Sequence, residues 1–147
     1  GEAAREAAAA GLPAEVAITA FRANGDAGDG PVALGQGGAL AVEIELAARD
    51  GRRPVAMLGC LHADGTPVYG TSSEIDQAAP EPLGGGRFRF RLDFPALPLL
   101  PGRYRLRAIA LDAEGLRLFD QRERELVVGG QSREFGLVRL PHAWRSP

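Results

Sequence analysis

Residues 86–111 read "GRFRFRLDFPALPLLPGRYRLRAIAL", and how this stretch folds decides the architecture. In its first part Phe88, Phe90, Leu92 and Phe94 alternate with Arg87, Arg89, Arg91 and Asp93. In its last part Tyr104, Leu106, Ala108 and Ala110 alternate with Arg103, Arg105 and Arg107. Only an extended chain sorts such an alternation into one apolar and one charged face; a helix would spread the arginines all round. The Pro101-Gly102 pair is a turn signal between the two runs. Both runs are therefore half-buried antiparallel strands.

The same period continues outward from there. "EVAITAFR" (15–22) places Val16, Ile18 and Ala20 on one face. "LAVEIELAA" (40–48) turns Leu40, Val42, Ile44 and Leu46 inward and Glu43 and Glu45 outward. "PVAMLGCLHA" (54–63) is more continuously apolar and suits a central strand, with Cys60 as a buried thiol. "PVYGTS", "LRLFDQ", "RERELVV" and "REFGLVRL" complete the set. In "RERELVV", Glu123 and Glu125 fall on an outward face. "ANGDAGDGP", "RDGRRP", "ADGTP", "PEPLGGG", "DAEG" and "VGGQS" supply the turns, and Asp64-Gly65 marks a hairpin. Seven to nine short strands with this spacing predict an all-β chain folded as an immunoglobulin-like antiparallel β-sandwich. Tyr104, just after a Pro-Gly turn, is placed to bond its hydroxyl to nearby backbone, as in a tyrosine corner.

The chain has 147 residues, 45% of them hydrophobic, enough for one well-packed domain. The first eleven residues, "GEAAREAAAAG", are helix formers with almost no apolar face. Residues 1–13 are read as a short helical linker or helix remnant, and 14–147 as the domain. With 17 basic and 19 acidic residues, the charge balance of -2 makes no electrostatic case for a nucleic-acid partner. Every basic residue is Arg, which removes Lys-based phosphate loops and Schiff-base chemistry. One cysteine permits no internal disulfide and no Cys-based zinc site. No apolar stretch approaches the roughly 20 residues of a membrane span.

No catalytic constellation is visible. The two histidines, His62 and His142, have no spaced ligand or acid-base partner beyond Asp64 in the "HADG" turn, so neither a metal nor a cofactor is expected. The arginine ladders have two readings: solvated faces paired with Glu43/Glu45 or Glu123/Glu125, or a platform of forked donors for a hydroxyl-rich ligand. Tyr69 and Trp144 lie beside polar, turn-like sequence. Each can pack over the sandwich edge or stack on a sugar ring.

Taken together, "VAITAFRANGD", "GGALAVEIEL", "PVAMLGCLHADGTPVYGTSSEID", "FPALPLLPGRYRLRAIALDAEG", "LFDQRERELVV" and "FGLVRLPHAW" resemble one family. It is the C-terminal carbohydrate-binding domain of Wzt, the ATP-binding subunit of O-antigen polysaccharide ABC transporters. The likeness runs over about residues 14–146. It implies an immunoglobulin-like sandwich and non-catalytic binding of a polysaccharide, often at its modified non-reducing end, so that export is coupled to a finished polymer. It also implies an upstream ATPase domain, a membrane permease partner and a place at the cytoplasmic face of the bacterial inner membrane. A homodimer with exchange of the last strand is implied too, involving "REFGLVRLP" and hence Phe135 and Leu137. Relatives often carry Asn-Thr after the glycine of "VYGTSS"; here Thr71-Ser72 follow Gly70.

On this basis His62, Tyr69, Thr71, Arg105 and Arg107 are the candidate glycan contacts. His62 takes whichever face of its strand the register selects. Phe135, Leu137 and Trp144 are the candidate core-closing or dimer residues, with Val138 and Leu140 finishing the last strand and Trp144 folding back as a lid on the sandwich edge or on a partner subunit. The competing functions are an immunoglobulin-like spacer or dimerisation module, and a glycan-binding module appended to a glycan-modifying enzyme.

Overall fold

The structure, a computed structural model, describes residues 15–147. The linker expected over residues 1–13 lies outside the described residues. Nine strands follow in order: β1 (Val16–Ala23), β2 (Val32–Gly35), β3 (Leu40–Ala48), β4 (Val55–His62), β5 (Pro67–Ser72), β6 (Glu81–Gly84), β7 (Arg87–Phe94), β8 (Gly102–Leu111) and β9 (Leu118–Gly129). They form two facing sheets, ordered β1-β3-β7-β6 and β2-β9-β8-β4-β5. The all-β sandwich legible in the sequence is the fold of the chain.

The register matches the alternation in β3, β7 and β8, whereas in β1 the bulge after Ile18 turns Phe21 inward and puts Ala20 opposite outward-facing Glu45. Val42, Ile44 and Leu46 of β3 pair with Leu92, Phe90 and Phe88 of β7, and these apolar side chains face the second sheet. Leu106, Ala108 and Ala110 of β8 pair with Cys60, Leu58 and Ala56 of β4 to form the opposite wall. Leu46 and Leu126 are fully buried, and burying a leucine contributes about 1.5–3 kcal/mol.

Three elements depart from the sequence reading. The chain crosses from β1 to the other sheet through 24–31, so β2 meets β9 running parallel, the one parallel strand pairing among the described residues. β6 lies inside the segment read as the turn "PEPLGGG". The segment "REFGLVRL" forms no strand. It makes a single bridge, Leu99 to Val138, flanked by Leu100 N–H donating to Leu137 O (2.9 Å) and Arg139 N–H donating to Pro98 O (2.8 Å). Pro98 and Pro101 have no N–H to offer, so a ladder cannot extend along 98–101.

Polar side chains close the sandwich where its sheets part. Asp120 accepts from the Ile18 amide (2.9 Å), and Arg122 donates to the Ile18 carbonyl (2.7 Å), so β9 satisfies the free edge of β1 beside its bulge. Arg124 points inward and is 3% exposed as a side chain. It donates to the carbonyls of Asp26 (2.5 Å) and Gly30 (2.7 Å), pinning the 24–31 crossover. Tyr104 makes the expected corner: its buried hydroxyl lies 2.7 Å from Leu100 O and 3.1 Å from Leu137 O, so it also holds the chain end against the body.

Candidate functional site

The cross-strand register sorts the charged ladders onto two outer faces. On the four-stranded sheet, Glu45 receives hydrogen bonds from Arg89 Nη2 (2.9 Å), Arg89 Nε (3.0 Å) and Arg22 Nη1 (3.2 Å), and Arg91 Nε donates to Glu43 (3.1 Å). Burial opposes ionisation of Glu45, but these hydrogen bonds outweigh it and hold its carboxyl below the usual range. This face is saturated by its own pairs, as the solvated-face reading requires.

The outer face of the five-stranded sheet is arranged differently. Glu125, Arg105 and Leu61 form one row across β9, β8 and β4. The next row is Glu123, Arg107, Gly59 and Gly70, reaching β5. Beyond it lies Gln121, Ile109, Met57 and Ser72. Arg107 is fixed by Glu123 through two contacts of 3.1 and 3.0 Å, and Arg103 by Glu125 at 2.6 Å. Arg105 makes only a long bond to Ala63 O (3.4 Å). Its Nε is buried, sits 3.9 Å from Glu123 and has no hydrogen-bond acceptor among the described residues, so only its terminal Nη groups, on a 41% exposed side chain, face solvent. Of the three guanidinium groups, Arg105 is thus the one not locked to a carboxylate. A hollow of about 240 Å³ lies here, lined by Ala63, Arg103, Arg105, Glu123 and Glu125 among others.

The sequence candidates separate in space. Arg105 and Arg107 share this outer face. His62 does not: it is in register with inward-facing Tyr104, and their rings meet edge to face at 5.7 Å. Its Nδ1 lies 3.0 Å from Asp64. The Thr66 hydroxyl and amide, and then His62, hold the exposed Asp64 carboxyl down at about 2. Tyr69 is in register with Cys60 and so belongs to the core side of edge strand β5, where it remains 59% exposed. Thr71 is buried, and its hydroxyl donates to Asp76 (2.8 Å), so it presents no free hydroxyl to solvent. It lines a cleft of about 60 Å³ between the sheets, beside Leu58, Phe90 and Asp76.

The chain end also differs from expectation. Leu137 packs on the core. Trp144 does not fold back as a lid on its own sandwich: it is 93% exposed, and Phe135 is 96% exposed. Among the described residues no backbone hydrogen bond beyond Arg139 N–H ties 140–147 to the body.

Sequence reasoning missed the glycine pair. Gly59 and Gly70 face each other across β4 and β5 in ordinary extended backbone. A Cβ on Gly59 would meet nothing within 4 Å, and one on Gly70 only ordinary contacts at 3.6 and 3.8 Å. Glycine inside a strand costs about 0.5–1 kcal/mol, and neither position needs it for the fold. The available signal was a glycine in each of two runs that otherwise read as strands.

A crystal structure of the C-terminal domain of Wzt superposes with a TM-score of 0.68 over 90% of this chain and 84% of that one, at 18% identity. This chain has the fold of the Wzt C-terminal domain. The CARDB domain of a Pyrococcus furiosus protein in complex with di-metal ions is more distant: TM-score 0.43, 12% identity, 79% of this chain and 89% of that one. So is a Listeria innocua β-glucosidase in complex with gluconolactone: TM-score 0.43, 14% identity, 77% of this chain and 16% of that one. No protein-family model matches the chain, and no curated protein matches it in sequence.

Proposed function

We propose that this chain is a non-catalytic glycan-binding module that takes a bacterial O-antigen-type polysaccharide on the outer face of its five-stranded sheet. The observation that carries the reading is the Arg103/Arg105/Arg107 ladder set against Glu123 and Glu125, with Arg105 not locked to either carboxylate. Alternating forked donors and carboxylate acceptors suit adjacent sugar hydroxyls, each of which both donates and accepts. The Wzt-like fold supports the same class. Binding does not require chemistry: the Cys60 thiol is pushed up to about 11 by burial, and His62 is tied to the Asp64 turn.

In this reading the module couples a finished glycan to export, with an ATPase domain and a membrane permease as partners at the cytoplasmic face of the inner membrane. Tyr69, exposed on the core side of edge strand β5, meets only sugar that runs past that edge. A second copy of the chain covers Phe135, Leu140 and Trp144, which a single chain leaves in water, and exchange of the chain end between copies is one way to do so. That exposure also favours the rival reading, a dimerisation module that binds no sugar.

Titration of the chain with O-polysaccharide released from the lipopolysaccharide of the organism that encodes it separates the two. Glycan binding predicts saturable affinity that Arg105→Ala with Arg107→Ala lowers at least tenfold. Saturating binding that survives both changes refutes the site. A stable dimer with no glycan response favours the rival.

A further inference from the structure

Gly59 and Gly70 form a bare trough in the outer face just described. It is one row wide, bounded along the strands by Met57 and Ile109 on one side and Leu61 on the other. Met57 and Leu61 lie four residues apart, which at about 3.3 Å per residue sets the walls roughly 13 Å apart at the backbone. The floor is peptide backbone and Cα–H groups. The inner end is closed by Arg107 with its partner Glu123, and the outer end opens at edge strand β5.

Strand-interior glycines that the fold does not require mark a place where something approaches the backbone closely. We infer that the trough seats one uncharged pyranose ring of the polysaccharide. The ring's C–H face lies on the Gly59–Gly70 backbone, and two adjacent hydroxyls are held by the Arg107–Glu123 pair. The inference rests on the glycan-binding reading and adds the seat and the charge class of the sugar. Three features select a neutral ring. The half-buried walls of Met57, Ile109 and Leu61 suit carbon-bound hydrogens. The Arg107–Glu123 pair offers a donor and an acceptor side by side, which matches a diol. Within this row Arg107 is already paired with Glu123, so a uronate seated on the glycines would bring its charge against the Glu123 carboxylate with no free cation in the row, the unlocked Arg105 standing one row away.

The test compares the 147-residue chain with Gly59→Val and Gly59→Ala in calorimetric titration against the same released O-polysaccharide, with thermal melting alongside. Because a Cβ at Gly59 meets empty space, both variants are expected to keep or raise the melting temperature. Affinity is expected to fall at least tenfold for Gly59→Val and less for Gly59→Ala, while Arg91→Ala on the opposite sheet leaves it unchanged. Neutral methyl pyranosides are expected to compete with the polysaccharide, and glucuronate is not. A Gly59→Val chain that melts normally and binds as the wild type overturns the inference while leaving the glycan reading intact. Better competition by glucuronate than by neutral glycosides overturns the charge class. A wild-type chain that binds no polysaccharide overturns the reading and the inference together.

Discussion

Replacing Tyr104 by Phe removes one oxygen from the place where the chain end meets the body. The ring is almost fully buried, and its hydroxyl is shared between Leu100 O at 2.7 Å and Leu137 O at 3.1 Å. Loss of a buried hydrogen bond costs about 0.5–1.5 kcal/mol, and a carbonyl left unsatisfied adds up to about 1–3. The Leu137 carbonyl keeps the Leu100 amide as donor, and the penalty at the Leu100 carbonyl has a ceiling, because the segment around Leu137 can lift and let water reach it. Lifting breaks the bonds from Leu100 N–H to Leu137 O and from Arg139 N–H to Pro98 O. A net cost of about 1–2 kcal/mol follows, or a melting temperature lower by about 3–8 °C for a chain of this size. The two amides report the mechanism separately from the stability. Hydrogen exchange at Leu100 and Arg139 should accelerate about tenfold for each 1.4 kcal/mol lost locally, while exchange in β3 follows only the global change. Unchanged exchange at both amides, with the melting temperature still lowered, would refute the proposed role of Tyr104 in holding the chain end.

Three further outcomes follow from the same interactions. Arg124→Met leaves the Gly30 carbonyl without its donor and the Asp26 carbonyl with only the Ala23 amide (3.0 Å), and should destabilise the chain by about 1–3 kcal/mol in urea unfolding. The same change should raise the Asp26 carboxyl toward its ordinary value, but only partly, because the Gly28 amide is the larger cause of its depression. Cys60 is neutral in the fold, its pKa raised from 9.0 to about 11 by burial, so its contribution is complete below 9.0 and is lost as pH rises through about 11. Melting temperature should decline across that window, Cys60→Ala should flatten the decline, and thiol reagents at pH 8 should react with the folded chain more slowly than with the unfolded one, because the half-buried thiol is protonated there. Trp144→Ala should lower the dimer fraction in sedimentation before it lowers glycan affinity, and the reverse order would return Trp144 to the sugar site.

The strands with strict alternation were legible because their side chains meet water on one face and the facing sheet on the other. Glu43, Glu45, Glu123 and Glu125 all point outward, as the period demands. That same period forces Arg124 inward, and nothing local says what an inward guanidinium will bind. Its partners, Asp26 and Gly30, are supplied by a crossover nearly a hundred residues earlier. β2 and β6 were hidden in Gly/Pro-rich segments because each is a four-residue edge held by its neighbour rather than by a pattern of its own. The missing last strand shows the converse: "REFGLVRL" has strand-like residues, but the segment it meets is interrupted by Pro98 and Pro101. Of the site, the Arg105–Arg107 pairing was readable from spacing. The opposite placement of His62 and the glycine trough depended on which residues stand across from one another, and register between distant strands is not written in either strand alone.

A polysaccharide bound on the outer face of the five-stranded sheet must touch the Arg105/Arg107 rows and the glycines beside them. Amide shift mapping of the isotope-labelled protein, titrated with its organism's released O-polysaccharide, tests this most directly. The prediction is saturable shifts at Gly59, Leu61, Gly70, Arg105 and Arg107, with Arg89 and Arg91 on the opposite sheet unmoved. Saturable shifts confined to the Arg89/Arg91 face, or no shifts at all, would contradict it.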